Sequence, residues 1–284
     1  MTEKKITRIA HDTGRHWVGD GFPVSTMLSY NMGPEISPFL LLDYAGPAEF
    51  PPSDAPRGVE RHPHRGFETV TIVYEGEVEH GDNAGNSGKI GPGDVQWMTA
   101  GRGILHVEKH GREFSERGGT LEMIQLWVNL PARHKMTEPG YQEILAGDIP
   151  VAPLEDGAGD ARVIAGELGG TRGPARTFTP VNVWDARLKA GKTAVFEIPD
   201  GYGAFVLVLK GGVAVNGTDE IDERELAFFA REGEKITVEA VRDSTLLVLS
   251  GEPINEPVVG QGPFVMNTPE EIRQAIDDYR TGKF

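Results

Sequence analysis

The sequence predicts an all-β chain, two sandwich- or barrel-type domains finished by one C-terminal α-helix. Three observations carry this. Short runs of Val, Ile, Leu and aromatic residues recur between turn residues, as half-buried strands do. Glycine (37) and proline (20) punctuate the 284 residues far more often than a helical protein tolerates. Related stretches also recur about 130 residues apart, which points to a duplicated unit.

The strand-like runs are Thr69–Tyr74, Asp94–Met98, Leu121–Val128, Phe205–Leu209 and Ser244–Ser250. Asn216-Gly217 separates Val213–Val215 from Asp219–Ile221, a hairpin signal because both central residues take positive φ. The segment around Val73–Val78 resembles that around Leu209–Val213 at an offset of 135, and Gly93–Trp97 resembles Arg224–Phe228 at an offset of 131. A strand ends at Asn129-Leu-Pro-Ala-Arg133, and Glu138-Pro-Gly140 follows. The expected domains are therefore residues 1–137 and 138–284, the helix belonging to the second. Gly166–Pro174 reads as a long loop. Thr268-Pro269-Glu270-Glu271 offers an N-cap, a proline at N1 and a glutamate at N3, a capping box that opens a helix. Ile272, Ala275, Ile276 and Tyr279 then share one face, and Gly282 stops it.

Composition excludes several classes of function. With no cysteine there is no disulfide framework, thiolate zinc site, iron–sulfur cluster or cysteine nucleophile. A net charge of −15 argues against direct nucleic-acid binding. No apolar run approaches membrane-span length, and the charged Met1–Arg8 stretch does not read as a signal peptide. A cytoplasmic protein is the expectation. Gly201-Tyr-Gly203-Ala lacks the third glycine of a dinucleotide fingerprint, and no Walker loop or nucleophile elbow is present.

All eight histidines precede residue 135. His62-Pro-His64 is followed, 42 residues after His64, by His106-Val-Glu108. Residues i and i+2 of a strand share a face, so each pair can send two ligands to one side of a sheet. If both pairs face one barrel interior, three imidazoles and a carboxylate converge, a set suited to Fe(II), Ni, Cu, Mn or Zn with positions left open. Glu68 lies four residues after His64 and is a further candidate. His11, His16, His80, His110 and His134 have no such partners and read as structural or solvated. Gln125 and Trp97 fall on strands whose alternation fits either the pocket or the core.

The stretches His62–Val70 and Pro92–His106, with Leu126–Pro131 and Gly262–Thr268, resemble the pirin family of the cupin superfamily over nearly the whole chain. The resemblance implies two cupin (jelly-roll type) β-barrels face to face, with a C-terminal helix. It also implies that the N-terminal barrel alone carries iron, through His62, His64, His106 and Glu108, the carboxylate coming from the second motif rather than from Glu68. Fe(II) is the first expectation; Ni, Cu, Mn, Co or Zn are alternatives. Carried forward by the repeat offsets, the four positions fall on Glu197, Pro199, Thr237 and Glu239, so the second barrel is expected to be metal-free. Some bacterial members resemble quercetin 2,3-dioxygenases, which use dioxygen to open a flavonol; Glu108 is then the catalytic base, with Glu68 second. Other members resemble iron-dependent regulators that bind a protein partner. The family resemblance also implies a monomer.

Overall fold

The computed structural model describes residues 1–12 and 14–284. The chain forms two compact units, residues 13–146 with 254–284, and residues 1–12 with 147–253. Below they are the metal-motif unit and the second unit.

In the metal-motif unit a seven-stranded antiparallel sheet runs in the order Gly140–Ile144, Val95–Thr99, Phe67–Glu75, Gly119–Asn129, Phe39–Phe50, Phe22–Ser29, His16–Val18. A four-stranded sheet runs Gly58–His64, Ile104–His110, Val78–Asp82, Ser87–Ile90. The second unit repeats this plan. Its seven strands run Ile6–His11, Glu225–Phe229, Gly203–Lys210, Ser244–Gly251, Val181–Leu188, Gly159–Ala165, Val151–Pro153. Its four run Thr193–Glu197, Lys235–Ala240, Gly212–Val215, Asp219–Asp222. The stretches related by offsets of 135 and 131 occupy equivalent places in the two sheets, as a duplication requires.

Local chemistry accounts for the connections. Asn216 and Gly217 both have positive φ, 52° and 73°, and the Thr218 amide closes the turn on the Val215 carbonyl. Gly166–Pro174 contains a two-residue hairpin, Glu167–Leu168 with Thr171–Arg172, where a loop was expected. The helix Pro269–Arg280 starts with the expected capping box: Thr268 Oγ1 accepts from the Glu271 amide, and the Glu271 carboxylate accepts from the Thr268 amide. Its buried face, Ile272 and Ala275, packs with Phe264 and Met266; burying one such isoleucine contributes about 2 kcal/mol.

The units differ from the expected 1–137 and 138–284 at both ends, for a reason of pairing. Ile6–His11 hydrogen-bonds along Glu225–Phe229 and is the edge strand of the second unit's large sheet. Residues 254–284 pack instead in the metal-motif unit. Buried Arg65, next in sequence to His64, donates to the Arg102 carbonyl and to Asp278, and its guanidinium lies 4.4 Å from the Phe284 ring centroid. Lys135 is 1% exposed, and its ammonium donates to the Gly66 carbonyl, Asn129 Oδ1 and the Val265 carbonyl at 2.8–2.9 Å. No helix among the described residues is long and apolar enough to cross a membrane.

Val265 lies in a short hairpin, Val259–Gln261 with Phe264–Met266, and Lys135 therefore ties that hairpin to the turn after the first histidine motif. Lys135→Met leaves three buried acceptors unpaired and is expected to cost at least about 3 kcal/mol. Urea unfolding measures the loss, and faster proteolysis within residues 254–284 locates it.

Candidate metal centre

The site is built on two neighbouring strands of the four-stranded sheet. His62 on Gly58–His64 lies directly opposite His106 on Ile104–His110, and His64 lies opposite Ile104. The register slips between His106 and Glu108, where Gly58–His64 carries one extra residue, a bulge that re-aims the side chains beside it. The close approach here needs glycine: Gly58 has φ +158°, and a Cβ on it would stand 2.2 Å from the Glu108 carbonyl oxygen. As the i, i+2 spacing predicts, both motifs reach the same interior.

The potential ligand atoms of His62, His64 and His106 all lie within 4.8 Å of one another. Glu108 Oε2 stands 3.7 Å from His106 Nε2 and 4.0 Å from His62 Nε2. Two donors each about 2.1 Å from a shared ion stand roughly 3–4 Å apart, so these separations suit one. His62 Nδ1 hydrogen-bonds to the Glu60 carbonyl at 2.8 Å, which places its proton there and leaves Nε2 as the lone-pair nitrogen. Neither ring nitrogen of buried His106 has a hydrogen-bond partner. Burial, and the neighbouring imidazoles, hold His64 and His106 well below the usual histidine pKa, so both are neutral at pH 7. Neutral imidazoles with idle lone pairs, clustered beside a buried carboxylate that stands close to His62 and His106, fit a divalent cation.

The His64 ring is braced by aromatic neighbours. It lies 5.2 Å from Phe67 and 5.3 Å from Trp127, edge to face in both cases, while Phe67 and Trp127 stack on each other at 4.2 Å. Gln125 belongs to the site: its amide donates to Glu108 Oε1 at 3.3 Å, and the Thr71 hydroxyl lies 3.4 Å from both Glu108 Oε1 and Gln125 Oε1. Thr71, Gln125, Asp43 and Gln96 sit at directly opposed positions on four adjacent strands, a polar row along the inner wall. Asp43 accepts from the Thr26 hydroxyl at 2.5 Å, and burial raises its pKa. The next row, Ala45, Met123 and Val73, is apolar and belongs to the core.

Alternation separates the other candidates. Thr71 and Phe67 face the histidines, so Glu68, between them in parity, faces the opposite side of the sheet with Thr99 and Val128. Trp97, opposite Val70, shares that side and is core. Glu68 is therefore not presented to the cluster. It is 1% exposed, and burial pushes its pKa up to about 7, opposed in part by the Thr99 hydroxyl, which donates at 2.8 Å, and by the Trp97 indole. His80, read from sequence as structural or solvated, pairs directly across from Glu108 and stacks on Tyr141 at 5.4 Å. His110 is structural: its Nε2 bonds the Gly21 carbonyl within a cage of Phe22, Phe50 and Phe114. Exposed His11 pairs with Glu225.

A cleft of about 1190 Å³ opens on the second unit, between the Glu167–Arg172 hairpin and the strand Thr193–Glu197. Its lining includes no histidine. That unit's interior is filled with apolar side chains such as Trp184, Phe196, Ile236 and Val238.

Residues 21–128 match the family Pirin, and residues 183–284 match the family Pirin C-terminal cupin domain. The chain belongs to the pirin family. Another family member, human pirin, is 42% identical over 254 residues, covering 87% of this chain and 83% of that one. A Pseudomonas aeruginosa protein provisionally named quercetin 2,3-dioxygenase is 57% identical over 282 residues, covering 99% of this chain and 98% of that one. The crystal structure of an Acinetobacter baumannii quercetin 2,3-dioxygenase shares 51% identity and a TM-score of 0.97, covering 99% of this pirin-family chain and 98% of that one.

Glu68 gives a clean test of the two faces. Its folded pKa is raised above the ordinary 4.5, so its burial is fully tolerated below pH 4.5 and costs progressively more stability as pH rises through 7. Glu68→Gln should leave metal uptake unchanged. It should stabilise the protein at pH 8 by on the order of 2–3 kcal/mol relative to wild type, with little difference at pH 4.5. Thermal unfolding at both pH values, with metal analysis, checks this.

Proposed function

We propose that the chain is a metal-dependent dioxygenase that opens flavonols such as quercetin. The observation that carries the reading is the convergence of His62, His64 and His106 inside one barrel, with Glu108 beside His62 and His106. The near-full-length likeness to proteins bearing the quercetin 2,3-dioxygenase name supports the choice of substrate. His62, His64, His106 and Glu108 would hold one divalent ion, Fe(II) first, with Ni, Cu, Mn, Co or Zn as alternatives. When bound, that ion supplies the positive charge that stabilises a deprotonated flavonol 3-hydroxyl and the open positions that dioxygen chemistry needs.

The chain's own groups supply the rest. His62 is 23% exposed in its side chain, against 7% for Glu108 and 0% for His106, so the flavonol approaches from the His62 side. Glu108 Oε2 faces the histidines, while Oε1 takes the proton of the 3-hydroxyl. The Thr71 hydroxyl, equidistant from Glu108 Oε1 and Gln125 Oε1, turns to Gln125 when Oε1 is protonated. The Phe67–Trp127 stack keeps His64 in place. Overall, one flavonol and one dioxygen give the ring-opened ester and carbon monoxide.

Two experiments test this. Protein loaded anaerobically with Fe(II) and then given quercetin in air should bleach the flavonol's visible absorption and release carbon monoxide in equal amount. No turnover with any of the named ions overturns the flavonol reading. His62→Ala and His106→Ala should each lose stoichiometric metal while keeping the wild-type circular dichroism spectrum; full metal content in both would overturn the ligand set.

A further inference from the structure

The two oxygens of Glu108 have different surroundings. Oε2 faces imidazole nitrogens, His106 Nε2 at 3.7 Å and His62 Nε2 at 4.0 Å. Oε1 faces polar groups of the inner wall, the Gln125 amide at 3.3 Å and the Thr71 hydroxyl at 3.4 Å. We infer that Thr71 and Gln125 are positioning residues that divide the roles of this carboxylate, holding Oε1 on the protein so that Oε2 alone binds the ion. The inference rests on the metal reading above and deepens it.

Geometry makes the division firm. Thr71 and Gln125 sit directly opposite each other on adjacent central strands, Phe67–Glu75 and Gly119–Asn129. Glu108 comes from the other sheet, so the contact spans the barrel interior. Glu108 is 6% exposed and Thr71 1%, and a charge-assisted hydrogen bond in such surroundings is stronger than its counterpart in water. The Thr71 hydroxyl has one proton for two acceptors at 3.4 Å, Glu108 Oε1 and Gln125 Oε1; when it donates to the carboxylate, that oxygen accepts from both Thr71 and the Gln125 amide. A carboxylate freed from these donors can swing both oxygens toward a cation, raising the coordination number and closing a position a substrate would use. Ligands oriented from behind in this way typically lose 10–100-fold in metal affinity when the support is removed.

The test uses Co(II), whose visible absorption weakens as its coordination number rises. Metal-free full-length protein is titrated with Co(II), and affinity is measured against a competing chelator. Gln125→Leu and Thr71→Val should each weaken affinity 10–100-fold and lower the intensity of the visible band. Thr71→Ser, which keeps the hydroxyl, should retain wild-type affinity and spectrum. Thr71→Val preserves side-chain volume, so it serves if Gln125→Leu does not fold. Wild-type affinity and spectrum in a folded Thr71→Val or Gln125→Leu protein would overturn the inference. A loss shared by Thr71→Ser and Thr71→Val would overturn the part assigned to the hydroxyl. If the wild-type protein takes up no Co(II), this inference is overturned; if it takes up none of the named ions, the metal reading falls with it.

Discussion

The antiparallel pairing of Gly58–His64 with Ile104–His110 is the constraint on which the site depends. It puts His62 against His106 and, through one bulge, turns Glu108 toward both. Side chains alternate faces along a strand, so a slip of one residue would send the histidines out of the barrel and their neighbours in. The large sheet has its own register to match. It aligns Thr71, Gln125 and Asp43 as a row, and Glu108 reaches that row from the opposite wall. The site is thus where two independently paired sheets meet.

The second unit shows what the same topology does without that chemistry. The inner positions of its central strands carry Trp184, Val248 and Val206. An interior of that kind needs nothing beyond close packing. A row of polar groups in the equivalent wall is expensive unless each finds a partner. In the metal-motif unit Thr71 and Gln125 are partnered by each other and by Glu108, Asp43 by Thr26, and the buried imidazole lone pairs that no side chain reaches suit a cation.

Much of this was legible in the sequence where the signal was local or periodic. The i, i+2 spacing of His62, His64, His106 and Glu108 foretold a shared face, Asn216-Gly217 a turn, and Thr268–Glu271 a helix start, because each depends on residues a few positions apart. The pairing of distant strands was not legible. Four residues after His64, Glu68 looked near the cluster, yet alternation along Phe67–Glu75 turns it to the far side. His80 looked isolated because the strand that sets it against Glu108 joins by register, not by sequence proximity. Gln125 was recognisable as ambiguous, and only its place opposite Thr71 decides it. The exchange of Ile6–His11 and residues 254–284 between units left no periodic trace at all.

That exchange has a consequence for the order in which the protein is made. Chains leave the ribosome from the N-terminus, and domains tend to fold as their residues appear. The metal-motif unit is mostly synthesised by residue 146, yet Arg65 and Lys135 wait for Asp278 and Val265 to complete it. Ile6–His11 meanwhile has no strand to join until Glu225–Phe229 emerges. Both units therefore finish late and close together in time, and the imidazole cluster reaches its settled surroundings only when nearly the whole chain is available.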